Sequence, residues 1–235
     1  MLSVRKLIRT TFAAVLVVTA GAVFAQDQDI TCDTVLTAQD PLSAYTARAA
    51  ACLQPTGLLF ERNTAQAIAD ADFVIERDAA NAEAFAMRGQ ARLWQREFGQ
   101  SIADLTTALI LQPQNVDWLT FRAFVMLQVQ DRTGAIADFS RALAVEPTNE
   151  ALWLERSRLH ELNGDLKSAL ADAEQAAALN PNNAAALQRI GDIYYVTGND
   201  QLALEAYRRY LEVAVERSPL VNARILILER RLGNG

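Results

Sequence analysis

Histidine occurs once, cysteine twice, proline six times and glycine ten times in 235 residues. One histidine and two cysteines leave no metal-ligand cluster, and no glycine-rich phosphate loop or nucleophile elbow is present, which makes catalysis improbable. The scarcity of glycine and proline, beside 51% apolar and 21% charged residues, excludes a disordered or collagen-like chain. Positive charge is also in short supply. Lysine and arginine total 22 against 28 acids, a net charge of -6, and nucleic acid needs a basic face that this chain lacks. Long apolar runs are missing after the N-terminus, and alanine is abundant, which suits a helical protein.

The one apolar run lies in residues 1–25. Arg5, Lys6 and Arg9 precede a short stretch from Phe12 to Val23, and Val23-Phe24-Ala25 supplies small residues at the cleavage positions. This is the pattern of a secretory signal, too short and wrongly flanked for a membrane span of ~20 apolar residues. The following residue is Gln26, not cysteine, so no lipid anchor is expected, and the alternative is an uncleaved anchor. Cleavage removes three positive charges and no acid, taking the net charge from -6 to -9. Export across an inner membrane, to the periplasm, is the expected location, with no membrane span in the mature chain.

Export also accounts for the cysteines. Cys32 and Cys52 are an even pair in an exported chain and read as one disulfide, worth about 3 kcal/mol by loop closure. No Cys-x-x-Cys site surrounds them to suggest redox catalysis. Residues 26–40 are polar and irregular. Asp40-Pro41 resembles a helix start with an acidic cap, and Leu42, Tyr45, Ala49 and Cys52 share one face of the helix that follows. Pro55 and Gly57 stop it. A second helix is expected over Thr64 to Arg77, with Ala67, Ala71 and Val74 at helical spacing.

From Ala82 the chain repeats every 34 residues, in blocks 82–115, 116–149, 150–183 and 184–217. Each follows an asparagine (Asn81, Asn115, Asn149, Asn183) suited to cap an incoming helix, and Pro113, Pro147 and Pro181 end the outgoing ones. Glu97, Asp131, Asp165 and Asn199 mark a second cap inside each block, so each block is helix A, a tight turn and helix B. Position eight is small (Gly89, Ala123, Ser157, Gly191), as is position twenty (Ser101, Ala135, Ala169, Ala203), which lets A and B approach closely. Position twenty-four holds Leu105, Phe139, Ala173 and Tyr207, and position twenty-seven Ala108, Ala142, Ala176 and Tyr210. After Arg217 the period is taken to end. Ser218-Pro219 starts a last helix, with Val221, Ile225, Leu228 and Leu232 as its apolar stripe.

These features resemble the tetratricopeptide repeat (TPR) family. The resemblance implies an all-α, right-handed α-solenoid of antiparallel helix pairs. Residues 26–81 would form an N-terminal helical cap or degenerate first repeat, 82–217 four repeats, and 218–235 a capping helix over the final apolar face. Dimerisation through the last stripe is the alternative. One departure stands out. Position seven, often leucine in the family, is Arg88, Arg122 and Arg156, while position twenty-three is Asp104, Asp138 and Asp172; in the fourth block both change together, to Ile190 and Ala206. Joint replacement of a charged pair by an apolar one predicts that the two positions touch, as structural ion pairs. His160, at position eleven, is expected to pack internally.

The family binds protein or peptide segments on a concave face lined by positions two, five, nine and twelve of helix A. Here the resemblance implies Leu93, Phe124, Leu127, Leu154 and Tyr195 as apolar anchors, with Arg158 able to accept a carboxylate or stack on a ring. The Lys and Asn cluster of the chaperone-tail-binding subset is absent. The expected role is a non-catalytic adaptor or scaffold of the bacterial cell envelope, without cofactor. The alternatives are a self-associating structural component or an accessory subunit of an envelope enzyme complex. Arg122→Ala should lower the melting temperature, and an unchanged melting curve would refute the ion-pair reading.

Overall fold

The computed structural model describes residues 30–54 and 63–233. The signal expected over 1–25 and the stop expected at Pro55 and Gly57 lie outside them. The described residues form eleven α-helices and no strand. The chain divides into two compact units, Met1–Val129 and Gln130–Gly235. The first holds α1 (Leu42–Leu53), α2 (Thr64–Arg77), α3 (Ala82–Trp94), α4 (Phe98–Leu111) and α5 (Val116–Gln128). The second holds α6 (Arg132–Val145), α7 (Glu150–Leu162), α8 (Leu166–Leu179), α9 (Ala184–Thr197), α10 (Asp200–Val213) and α11 (Pro219–Gly233).

Most helix starts follow the asparagine and aspartate punctuation. Asn81, Asn115 and Asn183 accept from the backbone N–H of Ala84, Trp118 and Ala186, and Asp131 and Asp165 do the same for Gly134 and Ser168. Each satisfies one of the four free amides of a first turn. Asn149 departs from this pattern: its side chain donates to Glu146 at 2.8 Å and makes no cap bond. Asp40 departs too. Pro41 is the residue before α1, and the Asp40 carboxylate turns back to accept from the Thr37 N–H and hydroxyl, which hold it below the usual carboxylate range.

The turn between helices A and B places position fifteen in the left-handed region in all four blocks. Gly164 (φ 81°) and Gly198 (φ 77°) adopt it without cost, whereas Arg96 (φ 66°) and Gln130 (φ 63°) adopt it against a Cβ penalty.

Small residues bring A and B together within each unit, and serine locks the contact from either side. Ser101 on α4 donates to the Gly89 carbonyl on α3 at 2.6 Å; Ser157 on α7 donates to the Ala169 carbonyl on α8, also at 2.6 Å. In the last block Gly191 leaves room that Tyr207 fills completely: a Cβ there would lie 2.6 Å from the Tyr207 ring.

The C-terminal helix retains one mark of the 34-residue period. Arg224 stands at position seven of a block beginning at Ser218, although its eighth position, Ile225, is large and Arg217, not asparagine, precedes the block. Val221, Ile225 and Leu228 are buried in a cluster with Leu187, Leu204, Tyr207 and Tyr210, while Leu232 stays exposed. Gly191→Ala should cost about 1–3 kcal/mol through overpacking against Tyr207. Urea denaturation of the two proteins checks this, and a neutral result would contradict the close approach.

Candidate functional site

A buried guanidinium needs all its donors met, because an unmatched charge in a helix interface is costly. The position-seven arginines meet this need with one geometry. Arg88 donates through Nε and Nη2 to both Asp104 oxygens, at 3.0 and 2.7 Å, and Arg156 donates likewise to Asp172, at 2.8 and 2.7 Å. The remaining nitrogen, Nη1, reaches back to the preceding helix B. It finds Asp72 from Arg88, Thr106 from Arg122 and Ser140 from Arg156. Position eleven adds a further polar side chain beside the aspartate in two blocks. Arg92 donates to Asp104 at 2.6 Å, and His160 lies 3.8 Å from Asp172. Bidentate contact with the carboxylate pushes the Arg88 guanidinium above its ordinary value. Arg122 and Asp138 are both buried but fall in different units, so their expected contact is not a property of either unit alone.

The same fork recurs where the sequence reading did not place it. Arg48 on α1 donates through Nε and Nη2 to both oxygens of Asp70 on α2, at 2.8 and 2.6 Å. Arg48 and Asp70 are 22 residues apart, against 16 in the later blocks. The six extra residues fall in the connection between α1 and α2 and hid the register. Counted from Leu42, Arg48 is position seven and Ala49, fully buried, is the small position eight. The α1–α2 pair is therefore built like the other repeats.

The helix-A faces divide the expected lining residues into two groups. In the first unit Phe124 and Leu127 are half-buried. Leu93 is a correction: it is 9% exposed and sits in the core cluster with Ala86, Leu105, Ala108, Phe121 and Val125. Position twelve of α3 is thus buried inside the first unit. Trp94, one residue on, is the more exposed neighbour at 38%. Glu83 opens the same face, and burial raises its carboxyl pKa.

In the second unit Leu154 and Arg158 are half-buried, and Arg158 donates to Glu155 at 3.0 Å. Tyr195 is already engaged: the guanidinium carbons of Arg224 and Arg231, from α11, lie 4.9 and 5.3 Å from its ring centre. Beside it Asp192 binds Arg224 and accepts from the Tyr207 hydroxyl at 2.7 Å, and burial raises the pKa of that phenol. The last block's face thus serves chiefly to seat α11. Accessible apolar residues at the ends of α7 and α9 are instead Leu162 at 52% and Val196 at 65% exposure. With Trp94 they share position thirteen, a recurrence of large apolar residues before a polar turn that the sequence carries in three blocks of four.

Among the described residues no group of three or more His, Cys, Asp or Glu could hold a metal ion, and no helix is long and apolar enough to cross a membrane. Cys32 and Cys52 form a disulfide.

Paired helices with small residues at eight and twenty, in a 34-residue register, define a tetratricopeptide repeat protein. The chain belongs to the family of the ETO1 C-terminal domain, whose model matches residues 18–193. Solved structures of the same fold include MamA, at 19% identity over 64% of this chain and 88% of that one, TM-score 0.59. They also include YrrB, described as a TPR protein with an unusual peptide-binding site, at 17% identity over 73% and 84%, TM-score 0.58. A third is a tetratricopeptide repeat protein from Parabacteroides merdae, at 16% identity over 73% and 68%, TM-score 0.60. No curated protein matches the sequence.

Removing one partner of a fork should cost more than removing both. Arg156→Ala is expected to destabilise by about 2–4 kcal/mol, below the top of the buried-pair range because Arg156 keeps some contact with water. The double variant Arg156→Ile with Asp172→Ala, copied from Ile190 and Ala206, should recover most of that loss in a urea titration.

Proposed function

We propose that this chain is a non-catalytic scaffold of the bacterial cell envelope that docks a segment of a partner protein on its helix-A faces. The observation that carries the reading is the set of large apolar side chains left partly or largely accessible there. Phe124, Leu127 and Trp94 belong to the first unit, and Leu154, Leu162 and Val196 to the second. A soluble helix places polar groups at such positions unless something binds them, and aromatic anchors ringed by charge are what interaction hot spots are made from. Arg158 adds a guanidinium for a carboxylate or a ring, in exchange for its present partner Glu155. The tetratricopeptide fold supports the reading, since it is generally an interaction module, and so does the peptide-binding site named for YrrB. The disulfide supports an oxidising compartment.

A second reading is self-association through α11, favoured by its outer residues Leu220, Leu226 and Ile227 at 53%, 67% and 43% exposure. A cross-linking pull-down from the native envelope separates the two. Phe124→Ala tests the first unit's face and Arg158→Ala the second's, and at least one, with a wild-type melting curve, should lose the principal partner. Identical prey lists from all three proteins would overturn docking on these faces, and mass that rises with concentration in light scattering would favour self-association.

A further inference from the structure

Arg48 satisfies its third nitrogen differently from the other position-seven arginines. Arg88 and Arg156 reach back to a side chain of the preceding helix B, but no described helix precedes α1. Nη1 of Arg48 donates instead to the backbone carbonyl of Thr34, at 2.7 Å. One turn earlier on α1, the Tyr45 hydroxyl donates to the Thr37 carbonyl, also at 2.7 Å. The irregular segment 30–40 also fills apolar space. Leu36 packs on the cluster of Tyr45, Val74 and Ala84, and Cys32 on the cluster of Ala49, Cys52 and Ala67. Among the described residues this segment takes the place that a preceding helix B occupies in the later repeats.

Its noncovalent hold is weak. No residue of 30–40 is buried, and Val35 is 87% exposed. The hydrogen bonds inside the segment are local turns that pair Thr31 with Thr34 and Thr37 with Asp40 and do not tie it to α1. Two hydrogen bonds and one half-buried leucine are small against the conformational entropy of eleven residues. The Cys32–Cys52 bond supplies the remainder. Cys52 is 2% exposed and fixed in α1, while Cys32 is half-buried and reachable from solvent. The Arg48–Asp70 fork and the Arg88 network do not involve the disulfide, so α2, α3 and α4 keep their own supports.

We propose that the Cys32–Cys52 disulfide is a redox latch. It holds residues 30–40 over the N-terminal end of the array, and its reduction releases that segment and uncovers the α1 edge. A dithiol reductant attacks Cys32, Cys52 departs as thiolate, and the second thiol of the reductant resolves the mixed disulfide. The chain gains two thiols and two electrons, and the dithiol leaves as its own disulfide. Release strips Arg48 of its third acceptor and exposes the apolar cluster around Tyr45.

Hydrogen exchange with mass detection on the full mature chain, with and without dithiothreitol and with thiols counted, tests this. Two free thiols should accompany at least a tenfold faster exchange over 42–53, with less than a twofold change over 82–111. The Cys32→Ser, Cys52→Ser double variant should behave as the reduced chain does. Oxidised Tyr45→Phe should retain near-wild-type protection over 42–53, because the latch is covalent. Unchanged protection in the fully reduced chain would overturn the proposal. So would equal loss across 42–53 and 82–111, or opening of oxidised Tyr45→Phe.

Discussion

A guanidinium withdrawn from water between two helices is tolerable only when its planar fork meets a planar acceptor and its remaining nitrogen finds another. Arg48, Arg88 and Arg156 satisfy this in one way, with two donors to an aspartate on the partner helix and a third to whatever lies before. The geometry ties three elements at one point. It fixes helix A against its own helix B, sets the rotation of A about its axis, and registers A against the element that precedes it. Close approach at positions eight and twenty would hold the helices together without this, but smooth contacts between alanine and glycine permit sliding. The forks and the serine-to-carbonyl bonds of Ser101 and Ser157 are directional, and they remove that freedom.

The second unit shows what replaces the fork where it is absent. Ile190 packs with Ala173 and Ala206, and Tyr207 fills the gap left by Gly191. The phenol of Tyr207 emerges beside Asp192, and Arg224 from α11 binds both. The arginine has moved from the interior of the last pair to the helix that closes it. The interaction is reused on α11, and the residues that seat it are those that a purely periodic reading assigns to an open face.

That explains how far the sequence could be read. The 34-residue period, the helix pairs and the residues of each fork in blocks 82–115 and 150–183 follow from spacing, because charge pairs and small residues recur at fixed offsets. The α1–α2 pair reads from sequence as a cap or degenerate repeat, but its Arg48–Asp70 fork does not, because six more residues in the connection shift Arg48 out of register with Asp70. Leu93 is buried although its register position points to the open face, because position numbers describe an ideal helix, whereas burial depends on the surrounding cluster, here Ala86, Leu105, Ala108, Phe121 and Val125. For Tyr195 the register gives a helical position but not its cover, since Arg224 and Arg231 come to its ring from α11. The left-handed turn was visible only at Gly164 and Gly198. Arg96 and Gln130 adopt it because the flanking helices dictate the turn, and no residue type announces that.

The third nitrogen of each arginine is indifferent to what satisfies it. A carboxylate of Asp72, a hydroxyl of Thr106 or Ser140, and a bare carbonyl of Thr34 all serve. Such tolerance makes the joint between successive repeats a generic socket. A gene that gained or lost a whole 34-residue block would bring a new acceptor to the same arginine and leave no buried cation stranded. The length of the array is therefore free to change in evolution by whole repeats, and extra residues are tolerated in a connection, as between α1 and α2, whereas an insertion inside a helix turns the arginine or aspartate of its own fork away from its partner.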